Sequence, residues 1–175
     1  MTPGDIIIRR LEAADAAAYQ RLRLEGLQES PTAFGSSYSD EARRTLSEVA
    51  DIFKTSANAP SAILGAMADG QLVAAVGLAC TSAEKRAHNA TIWGMYVTPS
   101  FRRRGAGQVL LDAVIAYART IPHLRNLKLG VNAANTAAIA LYQSKGFTRY
   151  GLERESNLVG GIYHDEELYV LSINR

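Results

Sequence analysis

The chain predicts a mixed α/β protein, α+β by stricter accounting, with a mostly antiparallel sheet of about seven strands flanked by about four helices. Three observations carry this. Two β-rich runs flank Asp69-Gly70, a dipeptide suited to a tight hairpin. From Gly105 onward helical and strand periods alternate, which calls for right-handed crossovers between parallel neighbours inside an otherwise antiparallel sheet. The 175 residues are one domain's worth, and no repeat, low-complexity stretch or linker divides them, so a single domain over 1–175 is expected.

In order along the chain, residues 5–10 read as a short first strand. Asp15 is placed to cap a helix running through Glu29, with Ala18, Leu22, Leu24 and Leu27 at apolar positions, and Pro31 stops it. A second helix is predicted over 41–55 on a stripe of Leu46, Val49, Ile52 and Phe53, broken by Asn58, Ala59 and Pro60. The hairpin strands are 61–67 and 72–79. Residues 90–97 form the next strand, ended at Pro99; on it Trp93 and Tyr96, three apart, are expected on opposite faces, lining a pocket or simply packing. Val109, Leu110, Ala113, Val114 and Tyr117 then repeat at helical spacing until Pro122. A strand at 127–131 follows. Asn135 can cap a helix reaching Lys145, with Gly146 just past its end, and 147–154 and 163–172 supply two closing strands.

Composition narrows the partners. Hydrophobic residues make up 47% and charged residues 21%, ordinary for a globular protein. Nineteen Lys and Arg against 17 Asp and Glu leave a net charge of +2, too slight to imply a nucleic-acid or membrane surface. The single cysteine, Cys80, reads as a small hydrophobe at a strand end rather than a nucleophile. The first ten residues lack the apolar stretch of a signal peptide, and no apolar run reaches the roughly 18 residues a membrane span needs. A cytoplasmic protein with no metal is the expectation.

The chemistry concentrates at two places. Arg102-Arg103-Arg104-Gly105-Ala106-Gly107 joins a strand to a helix, so free backbone N–H groups gather where the helix begins. The glycines let the backbone approach a ligand, and the arginines add bidentate donors for phosphate oxygens. The turn is not a Walker loop, because no Gly-Lys-Ser/Thr follows the glycines. Nor is it a dinucleotide fingerprint: Gly105-Ala106-Gly107-Gln108-Val109-Leu110 lacks the third small residue, and Val131 is followed by Asn132 rather than an acid. The second place is Asn135-x-x-Ala138-x-x-x-Tyr142-x-x-x-Gly146-Phe147, whose spacings bring Asn135, Ile139 and Tyr142 near one helix face. Each has a plainer reading too, Asn135 as a cap and Tyr142 as core. In an open sheet the ligand crevice falls where neighbouring strands diverge at their carboxyl ends, here near Val97 and Val131.

Together these residues resemble the Gcn5-related N-acetyltransferase (GNAT) superfamily, whose Arg/Gln-x-x-Gly-x-Gly/Ala motif is matched by Arg102, Gly105 and Gly107. Its later Asn and Ala-x-x-x-Tyr-x-x-x-Gly-Phe segment is matched by Asn135, Ala138, Tyr142, Gly146 and Phe147. The likeness is sharpest over 92–147 and weakest in the first third of the chain.

The resemblance implies a GNAT-like acyl-CoA N-acyltransferase fold and an enzyme that carries the acetyl group of acetyl-CoA to a primary amine of a small molecule, amino acid or peptide. It further implies pantetheine against the backbone of Met95, Tyr96 and Val97, pyrophosphate on Arg102, Arg103, Arg104, Gly105, Ala106, Gly107 and Gln108, Asn135 on the pantetheine arm, and Tyr142 as proton donor to the departing thiolate. A main-chain N–H beside the thioester would hold its oxygen more tightly as charge develops there. The base is open: strand 90–97 carries no glutamate, leaving Glu29, His88, His164 or ordered water. Homodimers are frequent among similar proteins, and no segment identifies an interface. The rivals are a sensor that binds acyl-CoA without turning it over, a peptide N-terminal acetyltransferase, and a nucleic-acid binder through Arg102, Arg103 and Arg104. The last lacks a stacking platform beyond Phe101.

Overall fold

The computed structural model describes residues 6–57 and 60–174. Seven strands, β1 (Ile7–Arg10), β2 (Ala62–Ala68), β3 (Gln71–Cys80), β4 (Asn89–Val97), β5 (Asn126–Asn132), β6 (Thr148–Val159) and β7 (Ile162–Ser172), form one sheet in the order β1-β2-β3-β4-β5-β7-β6. Five helices accompany it: α1 (Ala16–Glu29), α2 (Tyr38–Ala42), α3 (Leu46–Ala57), α4 (Ala106–Arg119) and α5 (Thr136–Ser144). All neighbours are antiparallel except β4 and β5.

The period of each element decides what it buries. Leu110, Leu111 and Val114 on the inner stripe of α4 are wholly buried, and pack with Val76, Leu78, Ile92 and Leu127 on one face of the sheet. The alternate residues of the same strands, Ile63 on β2 and Ala75 on β3, join a second cluster with Tyr19, Leu22 and Phe53 from α1 and α3. There the Tyr19 and Phe53 rings meet edge to face at 5.3 Å.

Three differences from the sequence reading have physical causes. The predicted helix over 41–55 is two helices, because Thr45 and Glu48 form a reciprocal capping box that restarts the chain: Glu48 donates from its N–H to Thr45 Oγ1, and Glu48 Oε2 accepts from the Thr45 N–H at 2.7 Å. Asp15 precedes α1 without capping it through its side chain, since its carboxylate is taken by Arg9 at 2.7 Å and by the Glu12 N–H at 2.8 Å. Asp5, Asn58 and Ala59, which entered the predicted first strand and the break after the second helix, lie outside the described residues.

The third difference shapes the site. On β4, Trp93 faces Gly77 and Tyr96 faces Ala75, so Gly94 and Met95 together oppose the single residue Val76. This β-bulge turns on Gly94, whose φ of 61° suits a residue without a Cβ. The extra residue cancels the alternation: Trp93 and Tyr96 lie on the same face, against α1 and α3, while Met95 packs on the α4 side. The expectation that Trp93 and Tyr96 point oppositely is therefore corrected. An isolated glycine within a β-rich run was the available sign.

Candidate active site

β4 and β5 pair only from Asn89 with Asn126 to Thr91 with Lys128. Beyond those residues no ladder joins them, and the backbone groups on their facing edges are left for a ligand. Into this splay opens a cleft of about 620 Å³, walled by Met95, Tyr96 and Val97 of β4, Gly107 of α4, and Asn135, Leu141 and Tyr142 at α5. A further space of about 70 Å³ between the strands shares Met95, Asn135 and Tyr142 with it, and reaches Trp93, Gly94 and Gly130. The two sequence motifs, with 27 residues between them along the chain, thus meet across one cavity.

At the start of α4, Gly105 takes φ 85° and a Cβ there would meet nothing, so the glycine is required by the turn rather than by crowding. The first intrahelical bond runs from the Val109 N–H to the Gly105 carbonyl. The N–H groups of Gly105, Ala106, Gly107 and Gln108 therefore have no carbonyl within the helix, which makes an anion cradle. A Cβ on Gly107 would sit 3.6–3.7 Å from Leu141, Met95 and Val97, directly on the cleft floor. An acyl-CoA fits these features: a phosphate on the helix start, and a narrow arm along a largely apolar cleft flanked by unpaired strand edges.

The three arginines are not equivalent. Arg102 spans the cleft mouth: its guanidinium makes two bonds to Glu29 at 2.9 and 2.5 Å, its Nε donates to the Val97 carbonyl at 3.0 Å, and it lies 5.4 Å from the Tyr96 ring centre. Its charge is thereby engaged by Glu29, which leaves Arg103 at the cleft rim and Arg104, against Phe101, as the cations of the turn that face an incoming anion. The same pair bears on the base. Hydrogen bonds from Arg102 and then Ser30 hold the Glu29 carboxyl at about 2, and so acidic a group is a poor proton acceptor.

Tyr142 is buried among cleft residues, its ring 5.9 Å from Phe147 and its hydroxyl 3.8 Å from Met95 Sδ. Burial alone pushes its phenol up to about 12, so it carries its proton at neutral pH. Asn135 does cap α5: its Oδ1 accepts from the Ala138 N–H at 3.1 Å, so its Nδ2 donors are the part available to a ligand. His88 precedes β4 at the paired end of the strands, remote from the splay, and its carbonyl accepts from the N–H groups of Arg125 and Asn126. His164 lies on β7 opposite Asn157, toward the hairpin tip, and lines no part of the cleft.

Sequence reasoning missed Glu166. It stands on β7 beside Asn132, and its carboxylate lies over Gly130, where a Cβ would come within 2.4 Å of Glu166 Cδ. Gly130 lines the space between the splayed strands. Burial first, and then the charge of Glu153, raise the Glu166 carboxyl above the usual range, while Ser156 donates to it at 3.4 Å. It is a better proton acceptor than an ordinary carboxylate, and it covers a glycine that lines the splay. Also missed was Asn132, whose side chain donates to the Thr32 carbonyl at 3.1 Å and accepts from Ala134, tying the end of β5 to the turn after α1.

Fold and cleft define a class: a mixed α/β protein whose one parallel strand pair opens onto a helix-start anion cradle. The chain belongs to the acetyltransferase (GNAT) family, whose model matches residues 24–147. It is similar to the [ribosomal protein bS18]-alanine N-acetyltransferase of Salmonella typhimurium, 43% identical over 65 residues that cover 37% of this chain and 43% of that relative. The matched stretch is thus under half of that relative's length. Among solved structures it resembles a GNAT-family acetyltransferase from Streptococcus pneumoniae, with a TM-score of 0.86 at 24% identity over 97% of this chain and 100% of the other. It also resembles a Salmonella typhimurium acetyltransferase solved with its cofactor acetyl-CoA, with a TM-score of 0.86 at 18% identity over 98% and 96%. Among the described residues no helix is long and apolar enough to cross a membrane.

Proposed function

We propose that this chain is an N-acetyltransferase that moves the acetyl group of acetyl-CoA to a primary amine by direct attack. The observation that carries this reading is the splay between β4 and β5, whose cavities are lined by Gly107 of α4, Tyr142 and Gly130, the last of them lying beneath the Glu166 carboxylate.

Acetyl-CoA supplies an acyl carbon activated as a thioester. The chain's part begins with the N–H groups of Gly105, Ala106, Gly107 and Gln108, which hold phosphate oxygens with help from Arg103 and Arg104. The free edge of β4 aligns the arm, and a main-chain N–H near the bulge faces the acyl oxygen as charge grows on it. An amine arrives protonated, and Glu166 takes that proton so that the nitrogen lone pair is free. The C–N bond then forms as the C–S bond breaks, and the electron pair leaves on sulfur and takes a proton from the Tyr142 phenol. The second proton shed by the new amide nitrogen restores the phenol through solvent, while Glu166 releases its own proton to water. A phenol near 12 suits this role because the burial that disfavours its anion also disfavours a thiolate in the same place.

The test is free-thiol release from acetyl-CoA by the purified protein over a panel of amines, amino acids and peptides. Amine-dependent release is expected. Tight binding of acetyl-CoA with no release from any acceptor would overturn the reading in favour of a sensor.

A further inference from the structure

The charges on the α1 side of the splay select among amines, an inference that rests on the acetyltransferase reading for which end of the acceptor reacts. A second cavity, of about 190 Å³, is walled by Tyr19, Arg23, Glu41, Arg44 and Trp93 among others. Trp93 also lines the space between the splayed strands, which in turn shares Met95 and Tyr142 with the main cleft. The three spaces therefore succeed one another through common walls, from the helix-start cradle through the splay to the α1 side.

Arg23 dominates this last cavity. Its side chain is only 9% exposed, its Cζ lies 4.8 Å from the centre of the Phe34 ring, and its Nη2 is 3.7 Å from Glu41 Oε1. Glu41 is shared, since Arg44 Nε holds its other oxygen at 3.1 Å. Two guanidinium groups thus divide one carboxylate, and the cavity keeps an excess positive charge. Arg23 Nη1 is buried with no hydrogen-bond partner among the described residues. It is also the atom nearest the bulge: a Cβ on Gly94 would lie 3.4 Å from it. An arginine does not shed its proton, so a desolvated donor of this kind calls for an acceptor that comes from outside the chain. Its planar fork matches a carboxylate.

We propose that the acceptor is an amino acid, an amine carrying its own carboxylate one carbon away, and that Arg23 Nη1 receives that carboxylate. The short span between the two groups of an α-amino acid is the reason: a carboxylate at Arg23 leaves the amine beside Gly94, at the bulge where the acyl carbon arrives. Glu166, across the splay over Gly130, faces the positive end of the same zwitterion. Acid and base are thus met by opposite charges, one from α1 and one from β7. Polyamines bring no anion to Arg23, and a peptide N-terminus carries an amide where the carboxylate should be.

The experiment pairs each common amino acid with its carboxamide, and measures binding by calorimetry in the presence of CoA and turnover by thiol release from acetyl-CoA. In the unaltered protein the best acid should exceed its carboxamide by about 100-fold or more in kcat/KM, because a buried charged donor is left unpaired by the amide. Arg23→Met should bring acid and amide within about threefold of each other, chiefly through KM, and Arg23→Lys should restore part of the preference. Acetyl-CoA affinity unchanged in both variants reports an intact fold. Equal binding of acid and carboxamide by the unaltered protein, a preference that survives in Arg23→Met, or turnover confined to polyamines or peptides would overturn the inference. Acid-selective binding that depends on Arg23 but yields no thiol release would uphold it and overturn the acetyltransferase reading instead.

Discussion

On the α4 side of the splay the groups that face a ligand are backbone amides and glycines set by a single turn, while on the α1 side they are charged side chains brought from α1, α2 and β7. The first arrangement tolerates side-chain change so long as the backbone keeps its path, because the N–H groups of Gly105, Ala106, Gly107 and Gln108 belong to any helix that starts there. The second fails residue by residue. Arg23 Nη1 is the atom that a Cβ on Gly94 would meet, and the Glu166 carboxylate the group that a Cβ on Gly130 would meet, so removing either side chain removes that contact. If these groups act as proposed, handling of the common donor is built into local chain geometry and choice of acceptor into tertiary packing.

The sharpest way to break this contrast is Glu166→Gln. It should lower kcat/KM by about 10²–10⁴ while leaving acetyl-CoA affinity within about twofold, since the base acts on the amine and not on the donor. In the unaltered enzyme the same group predicts that activity falls as pH drops through a value above the ordinary carboxylate range, because protonated Glu166 cannot accept the amine's proton. That acidic limb should disappear in Glu166→Gln.

Tyr142→Phe comes next, with kcat reduced by about 10²-fold and both acetyl-CoA affinity and thermal midpoint nearly unchanged. The hydroxyl donates to Met95 Sδ at 3.8 Å, and the ring keeps its place against Phe147. Unchanged turnover would remove the proton-donor role.

Gly105→Val should act on the donor side alone. A β-branched residue at φ 85° is strained by about 1–3 kcal/mol, so stability and acetyl-CoA affinity fall together, while the preference among acceptors stays as it was. A changed acceptor preference would show that the two sides are not separable.

The smallest effect is expected of Glu29→Gln. The pair with Arg102 is partly exposed, with side chains 37% and 39% accessible, so its loss should cost no more than about 1 kcal/mol. Because the folded carboxyl is depressed to about 2 from 4.5, the pair's contribution is present above 4.5 and is lost as pH falls toward 2. The pH dependence of turnover near neutrality should not move, which separates Glu29 from the base.

What could be read from the chain follows the same division. The succession of strands along the chain, the Asp69-Gly70 hairpin and the helix starts at Gly105 and Asn135 are encoded within a few residues each, and so were legible. The cleft between the ends of β4 and β5 followed from one parallel pair in an antiparallel sheet. The capture of Arg102 by Glu29 was hidden because the partners lie 73 positions apart. Glu166 could not be told from other acidic residues of the closing hairpin until β7 was seen inserted beside β5, with Gly130 leaving room for its carboxylate. Arg23 reads as one more polar position on α1; only the Gly94 bulge, which re-aims Trp93 and brings the backbone toward the guanidinium, makes it part of the site.

The measurement that tests the account most directly is a structure of the protein with acetyl-CoA bound. Pyrophosphate should lie on the amides of Gly105, Ala106, Gly107 and Gln108, and the acetyl group in the splay beside Gly94, between Arg23 and Glu166. An acetyl group directed toward the α4 face, with Arg23 and Glu166 out of reach of any amine attacking it, would contradict it.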